Sequence, residues 1–307
     1  SKVLHAVFTA GAAMGNELCF ILLLPAVFWV YDIVVARYTI FVWATSYVVG
    51  QGMKDVLQLP RPHGHGVVQL EKHYAAEYGF PSTHAMNACA MPWFIFLQSQ
   101  PRMGTGDAAL VALLALTWTL CCCFSRLYMG VHSVPDVLGG AALGFAFCGV
   151  GCAVSPAVDA YIMRHWAAAA VIPAVASLLV YLYPKPAKWV NSPGDSAVIL
   201  GVAVGVFLGA RLAHDPAADP GVIALPGLVQ LASLLPYMLL GFGVLFATRA
   251  AVKPVAMAVL VAVAPPSPEP PSKRYIVELP CKLATYGAVG FNAVAVVPAL
   301  GAWLGLR

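Results

Sequence analysis

The stretch from Ser125 to Asp136, S-R-L-Y-M-G-V-H-S-V-P-D, holds an arginine, a histidine and an aspartate close together. A cation to hold an anion, an imidazole to attack it and a carboxylate to orient the imidazole are the parts of a nucleophilic site. Arg126 would grip the anion. His132 would attack it, with Asp136 accepting from one ring nitrogen and leaving the other as nucleophile. Two earlier clusters complement this one. In K-D-V-L-Q-L-P-R-P, Lys54 to Pro62, the prolines Pro60 and Pro62 end a helix and hold Arg61 in a stiff extended segment. In Pro81-Ser82-Thr83-His84, Ser82 or Thr83 can cap a helix whose free N–H groups attract an anion, with His84 in its first turn.

Lys54, Arg61 and Arg126, two histidines and one carboxylate suit a compact group with several negative oxygens. Phosphate fits best, since lysine supplies a point charge and arginine grips two oxygens at once. No Asp/Glu cluster offers a magnesium or calcium cage, and His84 with His132 does not complete a zinc site. The expected chemistry is metal-independent phosphoryl transfer without a cofactor. Each cation taken singly reads equally as a snorkelling or positive-inside residue, and each histidine as a satisfied loop group. Their joint arrangement favours chemistry.

The elements that must position these groups are membrane helices. The chain of 307 residues is 61% hydrophobic and 10% charged, with mean hydropathy +0.81, whereas a soluble domain carries about 25% charge. Apolar runs of about 20 residues, enough to cross a bilayer, recur along it. The expected fold is an all-α polytopic bundle with nine or ten spans, near 15–31, 36–58, 82–98, 107–125, 136–155, 166–183, 196–213, 222–248 and 281–305. Residues 254–265 are too short to span simply and read as re-entrant or paired. The whole chain reads as one membrane domain, with a catalytic core at about 36–155 and additional spans over 166–307. Two crossings separate the Pro60–Pro81 loop from the Ser125–Asp136 loop, so both face the same side and can share a site.

Other features are bland. The net charge of +4, without a basic tail, indicates no nucleic-acid partner. Cys121, Cys122 and Cys123 lie in a predicted helix and read as small apolar groups. Gly201, Gly205 and Gly209 form a close-packing stripe suited first to contacts within the monomer, with a homodimer left open. No internal repeat suggests a transporter. Ala264 to Pro271 reads as a stiff exposed loop.

The patterns K-x6-R-P, P-S-x-H and S-R-x5-H-x3-D resemble the three signatures of the type-2 phosphatidic acid phosphatase superfamily. Lys54/Arg61/Pro62, Pro81/Ser82/His84 and Ser125/Arg126/His132/Asp136 match them without departure. Val67 to Met86 and Glu278 to Gly287 are similar to the branch of sphingosine-1-phosphate phosphatases. The resemblance implies that His132 becomes a phosphohistidine and that His84 protonates the leaving alkoxide, then activates water. It implies that Lys54, Arg61, Ser82 and Arg126 hold phosphate. It further implies an endoplasmic-reticulum membrane enzyme with a lumenal site. The positive-inside tally in a nine-span reading points the other way: Lys72, Lys185, Lys188, Arg249, Lys253, Lys273 and Arg274 share the site's face, against Arg37, Arg102, Arg164 and Arg211.

The expected partner is a lipid phosphate entering from the bilayer, and membrane lipid around the chain. A sphingoid phosphate also carries an ammonium, for which Glu17, Glu71 and Glu77 are candidate acceptors. Tyr74, Tyr78 and Tyr128 are candidates for the cavity entrance or for interfacial anchoring. The alternative enzyme is a broader lipid phosphate or prenyl diphosphate phosphatase. The alternative of another class is a lipid-phosphate transporter or binder, which would dispense with the two histidines.

Overall fold

The computed structural model describes residues 2–15, 17–64, 66–71, 74, 77–186, 189–213 and 227–306. Among these the chain is helical without a strand. The helices are α1 (Lys2–Met14), α2 (Glu17–Ala26), α3 (Ile33–Leu57), α4 (Thr83–Ser99), α5 (Thr105–Tyr128) and α6 (Val134–Arg164). They continue with α7 (Ala168–Leu182), α8 (Ser192–Ala213), α9 (Leu228–Val263), α10 (Tyr275–Phe291) and α11 (Val297–Trp303). Short π-helical turns follow α2 and α10.

The span count differs from the sequence expectation. Among the described residues, six helices are long and apolar enough to cross a membrane, and up to seven if the bent α1–α2 pair, angled by 63°, is one span. The differences have local causes. α4, with 17 residues, and α7, with 15, are short. α9 runs unbroken for 36 residues through Pro236 and Pro254, so residues 254–263 continue the same helix and form no separate re-entrant element. A membrane helix tolerates such prolines because the freed carbonyls find other partners. Arg249 and Lys253 consequently sit within α9 and leave the loop tally, while Lys72 and Lys188 lie outside the described residues.

The bundle is built around α3 and α8, whose apolar stretches are mostly buried, while α9 turns almost all of its surface outward. Gly201, Gly205 and Gly209 lie against the backbone of Leu283, Gly287 and Phe291 of α10, so the glycine stripe is used within the monomer. A Cβ on Gly205 would run into the Gly287 carbonyl. α4 approaches α6 just as closely, with Gly140 and Gly144 facing the carbonyls of Ser82 and Met86. Across α3 and α6, the buried Arg37 grips Asp159 through two hydrogen bonds of 2.8 Å. The segment from Ala264 to Pro271 is exposed apart from Ala264 and Pro271, which are half-buried, and all eight cysteines are free.

Candidate active site

Local backbone rules place each functional side chain. Gln58 adopts a left-handed conformation (φ 51°) and its N–H returns to the Lys54 carbonyl at 2.9 Å, closing α3. Lys54 is thereby in the last turn, buried, with Nζ donating to Thr83 Oγ1 at 3.2 Å. The prolines then carry Arg61 back toward the next segment, where Gly79 N–H bonds the Leu59 carbonyl at 2.7 Å. Ser82 caps α4 by accepting from Ala85 N–H, and its own N–H donates to the Asp136 carbonyl at 3.0 Å. That last bond ties the two motif-bearing loops together.

α5 extends to Tyr128, so Ser125 and Arg126 are helical and the connection to α6 is shorter than the sequence suggests. Gly130 turns it with φ +66°, pressed against the Val68 carbonyl, where any Cβ would clash. Ser133 and Asp136 form a reciprocal capping box at the start of α6. Ser133 N–H donates to Asp136 Oδ2 at 2.7 Å, and Asp136 N–H donates to Ser133 Oγ at 3.4 Å.

These ends converge on a cavity of about 320 Å³ lined by Lys54, Arg61, Arg126, His84, His132, Tyr74, Glu77 and Thr83, among others. Arg61 is its hub. Nη1 reaches the Val131 carbonyl at 2.9 Å and His132 Nε2 at 3.0 Å, while Nη2 pairs with Glu77 Oε2 at 3.2 Å. Burial pulls the Arg61 pKa down from its usual value, but an arginine stays charged and can only donate. His132 Nε2 must therefore present its lone pair to Arg61, which puts the ring proton on Nδ1. Asp136 Oδ2 lies 3.7 Å from Nδ1, too far for a formed hydrogen bond and close enough to orient the ring electrostatically. Burial, with the neighbouring Arg61 and Lys54 charges, pushes the His132 pKa down to about 3 against the opposing pull of Asp136. The imidazole is neutral at physiological pH, as a nucleophile must be.

The other cations carry counter-ions. Glu77 Oε2 is 3.9 Å from Lys54 Nζ, and Arg126 Nη1 donates to Glu71 Oε2 at 2.9 Å. Arg126 is fully buried, and its Nη2 has no hydrogen-bond partner among the described residues. A buried donor in this position suits an oxyanion. Tyr74 hydroxyl stands 3.5 Å from His84 Nε2, with the rings edge to face, and the Arg61 guanidinium lies over the same tyrosine.

The structure thus brings Lys54, Arg61, His84, Arg126 and His132 to one cavity, with Asp136 behind His132. Ser82 is buried in its capping role and does not line the cavity, whereas its neighbour Thr83 does. Glu71 and Glu77 sit on the cations. The side chain of Glu17 lies outside the described residues. Tyr74 lines the cavity, Tyr78 does not, and Tyr128 is exposed and stacks on Phe8 at 4.6 Å. Sequence reasoning missed Gln51 and Asn87, which share helix faces with Lys54 and His84 at three-residue spacing and were findable by that signal. It also missed Asn191 and Asp195, which arrive from α8 and its approach with no local signal.

A helical membrane protein with this cavity matches the PAP2 superfamily over residues 35–158, the span that carries all three motifs. The chain is 31% identical to sphingosine-1-phosphate phosphatase 2 of Homo sapiens over 98% of its own length and 78% of that protein. It is 29% identical to sphingosine-1-phosphate phosphatase 1 of Mus musculus, over 99% and 73%. A dihydrosphingosine 1-phosphate phosphatase of Schizosaccharomyces pombe is 28% identical over 67% of this chain and 52% of that one. The chain belongs to the sphingosine-1-phosphate phosphatase family of the PAP2 superfamily. No solved structure matches it.

Proposed function

We propose that the chain hydrolyses sphingosine-1-phosphate and related sphingoid-base phosphates through a phosphohistidine, without a metal ion. The observation that carries this reading is the Arg61–His132 contact, which fixes a neutral imidazole with its lone pair at Nε2 beside three buried cations. The substrate phosphate draws Arg61 off that lone pair and onto its own oxygens, with Lys54 and the unpartnered Nη2 of Arg126 as further donors. Nε2 attacks phosphorus as the P–O ester bond breaks, and His84, which takes up a proton once the phosphate enters beside it, gives that proton to the leaving alkoxide. His84 then takes a proton from water, which attacks phosphorus, breaks the P–N bond and releases inorganic phosphate. Asp136 is a positioning residue that stabilises the His132 ring as charge develops on it. Thr83 takes the place at the cavity that Ser82 was expected to fill.

A multi-pass enzyme with this site fits a substrate whose head enters the cavity while its tail stays in lipid. We place it in the endoplasmic reticulum membrane with the cavity facing the lumen, as the family resemblance implies. Removal of Arg249 and Lys253 from the loops weakens the opposing charge tally.

The test is phosphate release by purified protein from sphingosine-1-phosphate, dihydrosphingosine-1-phosphate and phosphatidate, with and without EDTA. The expected result is EDTA-insensitive release from the two sphingoid phosphates and its abolition in His132→Ala. Substantial activity in that variant would sink the phosphohistidine, and loss of activity in EDTA would sink metal independence.

A further inference from the structure

The cavity has further polar lining that phosphate chemistry does not use. Opposite in chemical character to the cations stand Gln51 of α3, Asn87 of α4, and Asn191 and Asp195 at the start of α8. Gln51 and Asn87 are 3% and 2% exposed, and each has a buried side-chain oxygen, Oε1 and Oδ1, with no hydrogen-bond partner among the described residues. Gln51 Nε2 is already committed to the Tyr47 hydroxyl at 3.0 Å, which leaves its oxygen as the group on offer. Asp195 adds a negative charge. It lies 3.8 Å from Lys282, whose nearer partner is Glu278 at 2.9 Å. Buried acceptors with a carboxylate among them call for a donor-rich cation.

Glu71 and Glu77, the carboxylates nearest the phosphate cations, are held by Arg126, Arg61 and Lys54. Asp195 lies outside that group of ion pairs and shares Lys282 with Glu278. Gln51 and Asn87 lie within the 35–158 segment that carries the phosphatase motifs, while Asn191 and Asp195 come from α8 and its approach, beyond it. That division suits a reaction shared across the superfamily with a head group read by an added helix.

We infer that Asp195, with Gln51, Asn87 and Asn191, forms the subsite for the substrate's ammonium and neighbouring hydroxyl, and sets the preference for sphingoid phosphates over amine-free ones. This inference rests on the proposed hydrolysis and adds its specificity determinant. A charged donor paired by a carboxylate and neutral acceptors discriminates against an analogue lacking that charge, because the site's own buried groups are then left unpaired.

The experiment compares sphingosine-1-phosphate with its N-acetyl analogue, which keeps the chain, hydroxyl and phosphate and removes the positive charge. Wild type is expected to favour the free amine in kcat/KM by about tenfold or more, and Asp195→Asn to narrow the gap to about threefold or less. Asn87→Leu, which leaves the carboxylate in place, is expected to narrow it in part, and Asp195→Glu to keep most of it. Either of the first two variants can carry the test if the other fails to fold. Equal handling of both substrates by wild type, or a parallel fall for both in the variants, overturns the subsite. Failure of wild type to release phosphate from either substrate overturns the hydrolysis itself, a separate outcome.

Discussion

Arg61 donates from Nη1 to His132 Nε2 across 3.0 Å, although the two residues are 71 positions apart. The same guanidinium holds Glu77. One arginine therefore fixes the nucleophile's tautomer and its own orientation, and it is poised to pass from the imidazole to an incoming phosphate.

Lysine cannot reproduce that fork. Arg61→Lys is expected to lower kcat/KM by about 10²-fold or more, the scale seen when one transition-state donor is lost. Steady-state phosphate release measures it. Activity within threefold of wild type would show that Arg61 serves only as a point charge.

Asp136 has two separable duties, the cap of α6 and the orientation of His132. Asp136→Asn keeps an acceptor for Ser133 N–H, so its melting temperature should stay near wild type while kcat falls by about 10²-fold. Asp136→Ala should lose both activity and about 1 kcal/mol of stability. A kcat for the asparagine variant equal to wild type would remove the orienting role.

Glu77 sits between Lys54 and Arg61 as an internal anion. Glu77→Gln should strengthen competitive inhibition by inorganic phosphate about three- to tenfold, because freed cations bind an outside anion better. If the phosphate inhibition constant is unchanged and sphingosine-1-phosphate is selectively lost, Glu77 is instead the ammonium acceptor.

His132 makes stability depend on acid. Its folded pKa of about 3 lies below the ordinary 6.5, so below pH 6.5 the unfolded chain takes up a proton that the folded chain refuses. Stability then falls as pH falls from 6.5 toward 3. Between pH 7 and 5 wild type should lose about 2 kcal/mol more than His132→Gln, as seen in denaturant midpoints in detergent. Equal losses would mean that His132 is not desolvated in the folded state.

Arg37 and Asp159 bind each other in the buried interface of α3 and α6, remote from the cavity. Arg37→Leu alone should destabilise by about 3–5 kcal/mol, because it strands a buried carboxylate. Adding Asp159→Leu should restore much of that. A single variant as stable as wild type would show the pair to be dispensable.

The motif residues and the helical class were legible in the sequence because their signals are local. The Ser82 cap, the helix-ending Pro60, and the apolar runs all lie within a few turns of chain. Gln51 and Asn87 were equally local, at helical spacing from Lys54 and His84. Span boundaries were less legible: residues 254–265 read as a separate short element, yet α9 continues through Pro254 to Val263. The tertiary structure alone decided which carboxylate sits on which cation, that Arg61 meets His132, and that Asp195 completes the cavity from 141 positions beyond Lys54. Those pairings depend on how close-packed helices bring distant residues together, and no period along the chain encodes that distance.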